Sequence, residues 1–207
     1  KTLGLKTYQI HKKKIDNKET YKMFKLNSEK KTILFFGGGE FGLGKERTVQ
    51  ILDSLVKNVP EYQIVAISGK NEKMRKKFED IVQYENAEDR VKVLGFTDKV
   101  PELMKISTIV VTKPGGLTTS ESLSSGLPIL VISPIPGQEE ENAQFLEEKG
   151  VGIWIKKDQN PDEIIKKLFE NEDTIAKMKE KVKELAKKDS TENICEILLG
   201  EEYKKNN

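Results

Sequence analysis

In this 207-residue chain the residue types best suited to chemistry lie between Ile109 and Asn142. An apolar run, Ile109-Val110-Val111, leads into Thr112-Lys113-Pro114-Gly115-Gly116-Leu117-Thr118-Thr119-Ser120-Glu121, and a second apolar run closes on Pro136-Gly137-Gln138-Glu139. Consecutive glycines after a buried strand let backbone approach a ligand closely. A helix starting there turns free N–H groups and a positive dipole end toward an anion such as a diphosphate. The stretch therefore reads as a nucleotide site. Thr118 and Glu121 also stand at capping-box spacing, in which Glu121 does no more than bond back to the Thr118 amide. The functional alternative puts that carboxylate on the first turn, where it accepts two hydrogen bonds from a ribose diol. Gln138 and Glu139, followed by Glu140 and Glu141, suit sugar hydroxyls, although an acidic first turn is also ordinary dipole matching.

Such loops need a sheet to hold them. From Thr32 onward short apolar runs alternate with longer amphipathic stretches, which predicts an α/β fold: a Rossmann-like, doubly wound parallel sheet of about six strands with helices on both faces. Strands are expected at Thr32–Phe36, Gln63–Ile67, Val91–Leu94, Thr108–Val111, Ile129–Ile132 and Val151–Ile155. Helices are expected at Lys45–Lys57, Glu72–Tyr84, Lys99–Lys105, Thr118–Ser125 and Glu140–Lys149. After Ile155 the pattern is helical only, over Pro161–Phe169, Thr174–Lys187 and Thr191–Leu199. Three parts result: a basic linker segment over 1–31 with a short helix at Lys18–Phe24, a nucleotide-binding domain over 32–200 and a frayed tail over 201–207.

In open sheets of this kind ligands sit beyond the carboxyl ends of the strands. The first such loop, Gly37-Gly38-Gly39-Glu40-Phe41-Gly42-Leu43-Gly44, formally contains G-x-G-x-x-G. A dinucleotide enzyme also wants an acidic residue at the end of the second strand, and that strand ends in Ser68-Gly69-Lys70. A Walker A motif is excluded because Gly44-Lys45 is followed by Glu46. The third loop, Gly95-Phe96-Thr97-Asp98, puts exposed backbone beside an aromatic ring that can shield a flat base; equally, Phe96 can be a core residue and Asp98 a helix N-cap.

Composition narrows the classes further. The single cysteine, Cys195, excludes an internal disulfide and multi-cysteine metal sites, and no D-x-D pair or histidine cluster offers itself to a metal. His11, the only histidine, falls in the basic segment; Trp154 and Cys195 read as packing residues. No signal peptide or long apolar run is visible, which points to the cytoplasm. Residues 1–31 hold 10 lysines against 3 acidic side chains, a charge of +7 that the rest of the chain offsets to +2 overall. Lys12-Lys13-Lys14 either meets an anionic surface or is a solvated charge run. A start at Lys1 without methionine suggests a fragment preceded by another domain.

Taken together, Gly37-Gly38-Gly39, Gly95-Phe96-Thr97-Asp98, the Thr112–Glu121 segment and Pro134-Ile135-Pro136-Gly137-Gln138-Glu139-Glu140-Glu141-Asn142-Ala143 resemble the C-terminal half of monogalactosyldiacylglycerol synthase and bacterial processive diacylglycerol glucosyltransferases. These are relatives of the transferase that adds N-acetylglucosamine to the peptidoglycan lipid precursor. The resemblance spans about residues 32–190 and implies the C-terminal half of a GT-B fold, binding a UDP-sugar. It further implies that backbone around Phe96 and Thr97 meets uracil and that Glu121 holds the ribose. Gly116, Leu117, Thr118 and Thr119 would hold the diphosphate, aided by Lys113. Gln138 and Glu139 would hold the hexose, with Gly38 and Gly39 lining the cleft.

The function so implied is the donor-binding part of an inverting hexosyltransferase that moves glucose or galactose from UDP to diacylglycerol. No cofactor or metal and no nucleic-acid partner is expected. The general base and acceptor site would lie in an N-terminal domain, so no residue here is assigned a catalytic role. The intact enzyme would sit peripherally on the inner face of the cell membrane, and the isolated chain would bind donor weakly without turnover, exposing an apolar face where its partner domain packs. Three rivals stand beside this reading: a stand-alone donor subunit of a split UDP-N-acetylglucosamine-type lipid glycosyltransferase, an NAD(P)-binding oxidoreductase domain, and a regulatory module with a vestigial site.

Overall fold

A computed structural model describes residues 16–37 and 45–188. Six strands, β1 (Thr32–Phe36), β2 (Gln63–Ile67), β3 (Val91–Leu94), β4 (Ile109–Thr112), β5 (Ile129–Val131) and β6 (Gly152–Trp154), form one sheet in the order β3-β2-β1-β4-β5-β6. Every pairing is parallel. The expected fold class is the one found.

Helix α1 (Asn17–Met23) precedes the sheet. The crossovers are α2 (Lys45–Asn58), α3 (Glu72–Tyr84), α4 (Val100–Ile106), α5 (Gly116–Ser124) and α6 (Gln138–Glu148), and α7 (Pro161–Glu170) and α8 (Glu172–Lys188) follow β6.

The central strands are apolar almost throughout because helices cover both of their faces. In β1, Ile33 and Phe35 enter the layer built from α2, α3 and α7, while Leu34 and Phe36 enter the opposite layer with α4. Around β5 and β6, Leu123 of α5 and Leu146 of α6 pack on Ile129 and Val131. Side-chain caps set several helix starts: Asn71 accepts from the Met74 amide at 3.0 Å and Asn160 from the Asp162 amide at 3.0 Å.

Residues 16–31, expected as the end of a linker, are packed onto this body. Asp16 caps α1, and Tyr21, Phe24 and Leu26 pack into the layer that holds α4. The Gln63 side chain accepts from the Asn27 amide at 2.9 Å and donates to the Asn27 carbonyl at 2.8 Å. The short helix expected at Lys18–Phe24 is found one residue earlier, and the apolar residues that anchor it are recognisable only against their tertiary partners. His11, Lys12–Lys14, Gly38, Gly39, Cys195, the helix expected at Thr191–Leu199 and the 201–207 tail lie outside the described residues.

Candidate functional site

With this strand order the connections leave β1 and β4 in opposite directions, opening a crevice at the carboxyl ends of those two strands. Helix α5 begins there. Its N-cap is Gly115, extended at φ −67° and ψ 141°, and its first helical residue is Gly116, two residues before the expected start. The Thr119 amide donates to the Gly115 carbonyl at 3.0 Å, so the amides of Gly116, Leu117 and Thr118 are the ones without a carbonyl one turn back. They supply the positive end of the helix at the crevice.

The earlier start changes what the side chains do. Thr118 is the third helical residue rather than the cap, so the capping-box reading fails, and no acidic residue lies in the first turn. Glu121 stands on the second turn, half-exposed on the same side as Thr118. Thr119 turns into the core and is fully buried, its hydroxyl without a hydrogen-bond partner among the described residues. Of the expected diphosphate contacts, Gly116, Leu117 and Thr118 keep accessible surface and Thr119 does not. The Ser120 and Ser122 hydroxyls donate to carbonyls one turn back, at 2.7 Å each.

A neighbouring helix holds this turn in place. The buried Asn142 side chain on α6 donates to the Pro114 carbonyl at 2.8 Å. One turn earlier, the Glu139 carboxylate accepts from the Ile135 amide at 2.7 Å, and its other oxygen lies 3.8 Å from where a Cβ on Gly115 would stand. Asn142 thus fixes the β4–α5 turn and Glu139 fixes the β5–α6 loop against it. Gly137 opens α6 at φ 101°, in the left-handed half of backbone space, and Gln138 follows as an exposed first helical residue. Helix α6 therefore also begins two residues before its expected start at Glu140. Lys113 is half-exposed where β4 ends.

Across the crevice, Phe96 is 71% exposed, which removes its core reading. Asp98 is not the N-cap of α4; the Thr97 hydroxyl instead accepts from the Lys99 amide at 3.1 Å. The Lys70 ammonium sits over the Phe96 ring, 5.7 Å from its centroid. Phe96, Leu117 at 46% exposed and Ile135 at 38% give the carboxyl-end loops an apolar rim. In the sequence Asn142 is one residue of a motif and Lys70 stands where a dinucleotide enzyme would want an acid; the Asn142 bond to Pro114 and the Lys70 contact with Phe96 exist only once the loops are brought together. Among the described residues no three His, Cys, Asp or Glu side chains converge as a metal site.

The glycosyltransferase family 28 C-terminal domain model matches residues 32–194. The chain is 34% identical over 181 residues to the processive diacylglycerol beta-glucosyltransferase of Bacillus subtilis, covering 87% of this chain and 46% of that one. It is 32% identical to the Bacillus pumilus enzyme of the same name, covering 89% and 47%. The chain spans about half the length of these relatives. Among solved structures, the fold is similar to Anabaena Alr3699/HepE in complex with UDP and glucose, with a TM-score of 0.66 at 17% identity over 94% of this chain and 53% of that one.

Proposed function

The chain belongs to the glycosyltransferase family 28 C-terminal domain family, and from that premise we propose that it is the UDP-sugar-binding half of a glucosyltransferase that builds glycolipid on diacylglycerol. The observation that carries the reading is the α5 start at the strand-order reversal, where Gly116, Leu117 and Thr118 present amides and Asn142 holds the preceding turn. A diphosphate is the ligand such a helix end suits. Glucose, rather than galactose, is favoured by the names of the relatives, and so is diacylglycerol as acceptor.

In this reading the C1–O bond to the β-phosphate breaks as the acceptor hydroxyl oxygen bonds to C1. A β-glucoside drawn from an α-configured UDP-sugar requires inversion, hence a single displacement. Negative charge gathers on the departing UDP, where the helix amides and the Lys113 ammonium oppose it without reorganising. The acceptor's proton passes to a general base that we place in the half of the enzyme outside this chain. Glu121, one helical turn beyond Thr118, accepts from the ribose hydroxyls. Phe96 covers the base, Gln138 meets the hexose, and Glu139 shapes the loop on which Gln138 stands. UDP-sugar enters as substrate and no cofactor is invoked. Contact with the membrane is peripheral in this proposal; no described helix is long and apolar enough to cross one.

Calorimetric titration of the chain with UDP, UDP-glucose, UDP-galactose, ADP and NADH tests the reading, alongside Glu121→Ala. Uridine-selective binding weakened about tenfold in the variant is the expected result. Binding of NADH alone, or of nothing at hundreds of micromolar protein, would overturn it.

A further inference from the structure

The Ser68-Gly69-Lys70 loop carries no role in the site described above, yet it lies against the loop that presents Phe96. The Ser68 amide donates to the Leu94 carbonyl at 2.9 Å and its hydroxyl donates to the same oxygen at 3.2 Å. Gly69, at φ 63°, turns the chain back after β2, and a Cβ on Gly95 would stand 3.6 Å from the Gly69 carbonyl, in ordinary contact. The two loops are packed together, and Lys70 rests on the exposed face of the Phe96 ring.

Strand order determines where that ammonium lies relative to a nucleotide. Phe96 stands at the end of β3 and the α5 start at the end of β4, with β2 and β1 between them. Three strand spacings separate the two, about 14 Å in all, a span suited to a nucleoside diphosphate laid with its base at Phe96 and its phosphates at α5. Lys70 stands in the loop that leaves β2, on the path between them. An ammonium on a flexible stem has only modest hold on an exposed aromatic face, whereas a phosphate offers it a full opposite charge.

We infer that Lys70 is a further donor-binding residue, which leaves the Phe96 ring to pair with the phosphate attached to the nucleoside and so uncovers the ring face for the base. This rests on the UDP-sugar reading above. One side-chain movement then links occupation of the base platform to neutralisation of the 5′-phosphate. Lys113, at the end of β4, is left to oppose the charge on the outer phosphate.

The test compares Lys70→Met, which keeps a flexible side chain of similar length and removes the charge, with Lys70→Arg, which keeps a cation. UDP and UMP are titrated calorimetrically and uridine by NMR shift changes of the Phe96 loop. Lys70→Met is expected to weaken UDP and UMP by the same factor, about tenfold, to leave uridine unchanged and to flatten the salt dependence of UDP binding, with Lys70→Arg largely restoring affinity. Unchanged UDP affinity in Lys70→Met, or uridine weakened as much as UDP, would overturn the assignment while leaving the donor reading standing. Absence of UDP binding by the unsubstituted chain would instead overturn both. Lys70 is exposed, so an unaltered melting temperature checks that each variant is folded.

Discussion

A methyl group on Gly37 would stand 2.8 Å from Phe78 Cζ and 3.2 Å from the Ile67 carbonyl. Phe78 cannot yield easily, because it is fully buried and packs edge-on against Phe35 with centroids 5.6 Å apart. Gly37→Ala is therefore expected to cost about 1–3 kcal/mol by overpacking, whereas Gly115→Ala, whose Cβ meets nothing closer than 3.8 Å, is expected to cost about 1 kcal/mol or less, through the poorer helix cap alone; urea unfolding measures both. Asn142 carries the complementary risk. Asn142→Ala leaves the Pro114 carbonyl without its amide partner and is expected to lose about 1–3 kcal/mol, with weaker UDP binding by calorimetry because the α5 turn loses its brace. In the sequence the glycine read as the first of a formal G-x-G-x-x-G pattern and the asparagine as part of a motif. Their actual duties depend on Phe78 and Pro114, residues 41 and 28 positions away.

Two helix starts decide which side chains the site can use. In α5 the Thr118–Glu121 spacing suggested a cap, but Gly115 already adopts the extended cap conformation and the helix begins at Gly116. Local propensity could not choose between these starts, since threonine and glycine both serve as caps; the Asn142 bond to Pro114 favours the earlier one by fixing the turn ahead of it. The same two-residue advance in α6 rests on Gly137 at φ 101° and ψ −129°, a backbone region essentially restricted to glycine. Gly137→Ala is expected to cost about 1–3 kcal/mol and, by moving Gln138, to reduce any gain in affinity that UDP-glucose shows over UDP; paired titrations of the two ligands check this. The strand positions were more legible than the helix starts. A buried parallel strand announces itself as an apolar run, and β1, β2 and β3 coincide with their expected ranges.

At the scale of the whole molecule, α8 binds the two layers together: Ile175 and Met178 pack in the layer of α2 and α7, and Val182 and Leu185 in that of α5 and α6. On this helix burial holds Lys179 below its ordinary pKa of 10.5, with the positive charges of Lys183 and Lys31 adding to the effect. The folded chain thus binds fewer protons than the unfolded chain between the lowered value and 10.5, so this group's penalty is full at neutral pH and fades as pH rises through that window. Lys179→Met is expected to raise the melting temperature at pH 7 by about 2 °C, with the advantage shrinking as the pH approaches 10.5 in thermal scans of both proteins. What the amino-acid sequence determined by itself was the alternation of apolar strands and amphipathic helices, and the glycine-rich loops that follow the strands, because periodicity and backbone freedom are local properties. Tertiary structure decided the β3-β2-β1-β4-β5-β6 order, the burial of Thr119, the exposure of Phe96 and the meeting of Lys70 with its ring. Each of these depends on which strands become neighbours, and that follows from burying both faces of the sheet at once rather than from any one segment's pattern.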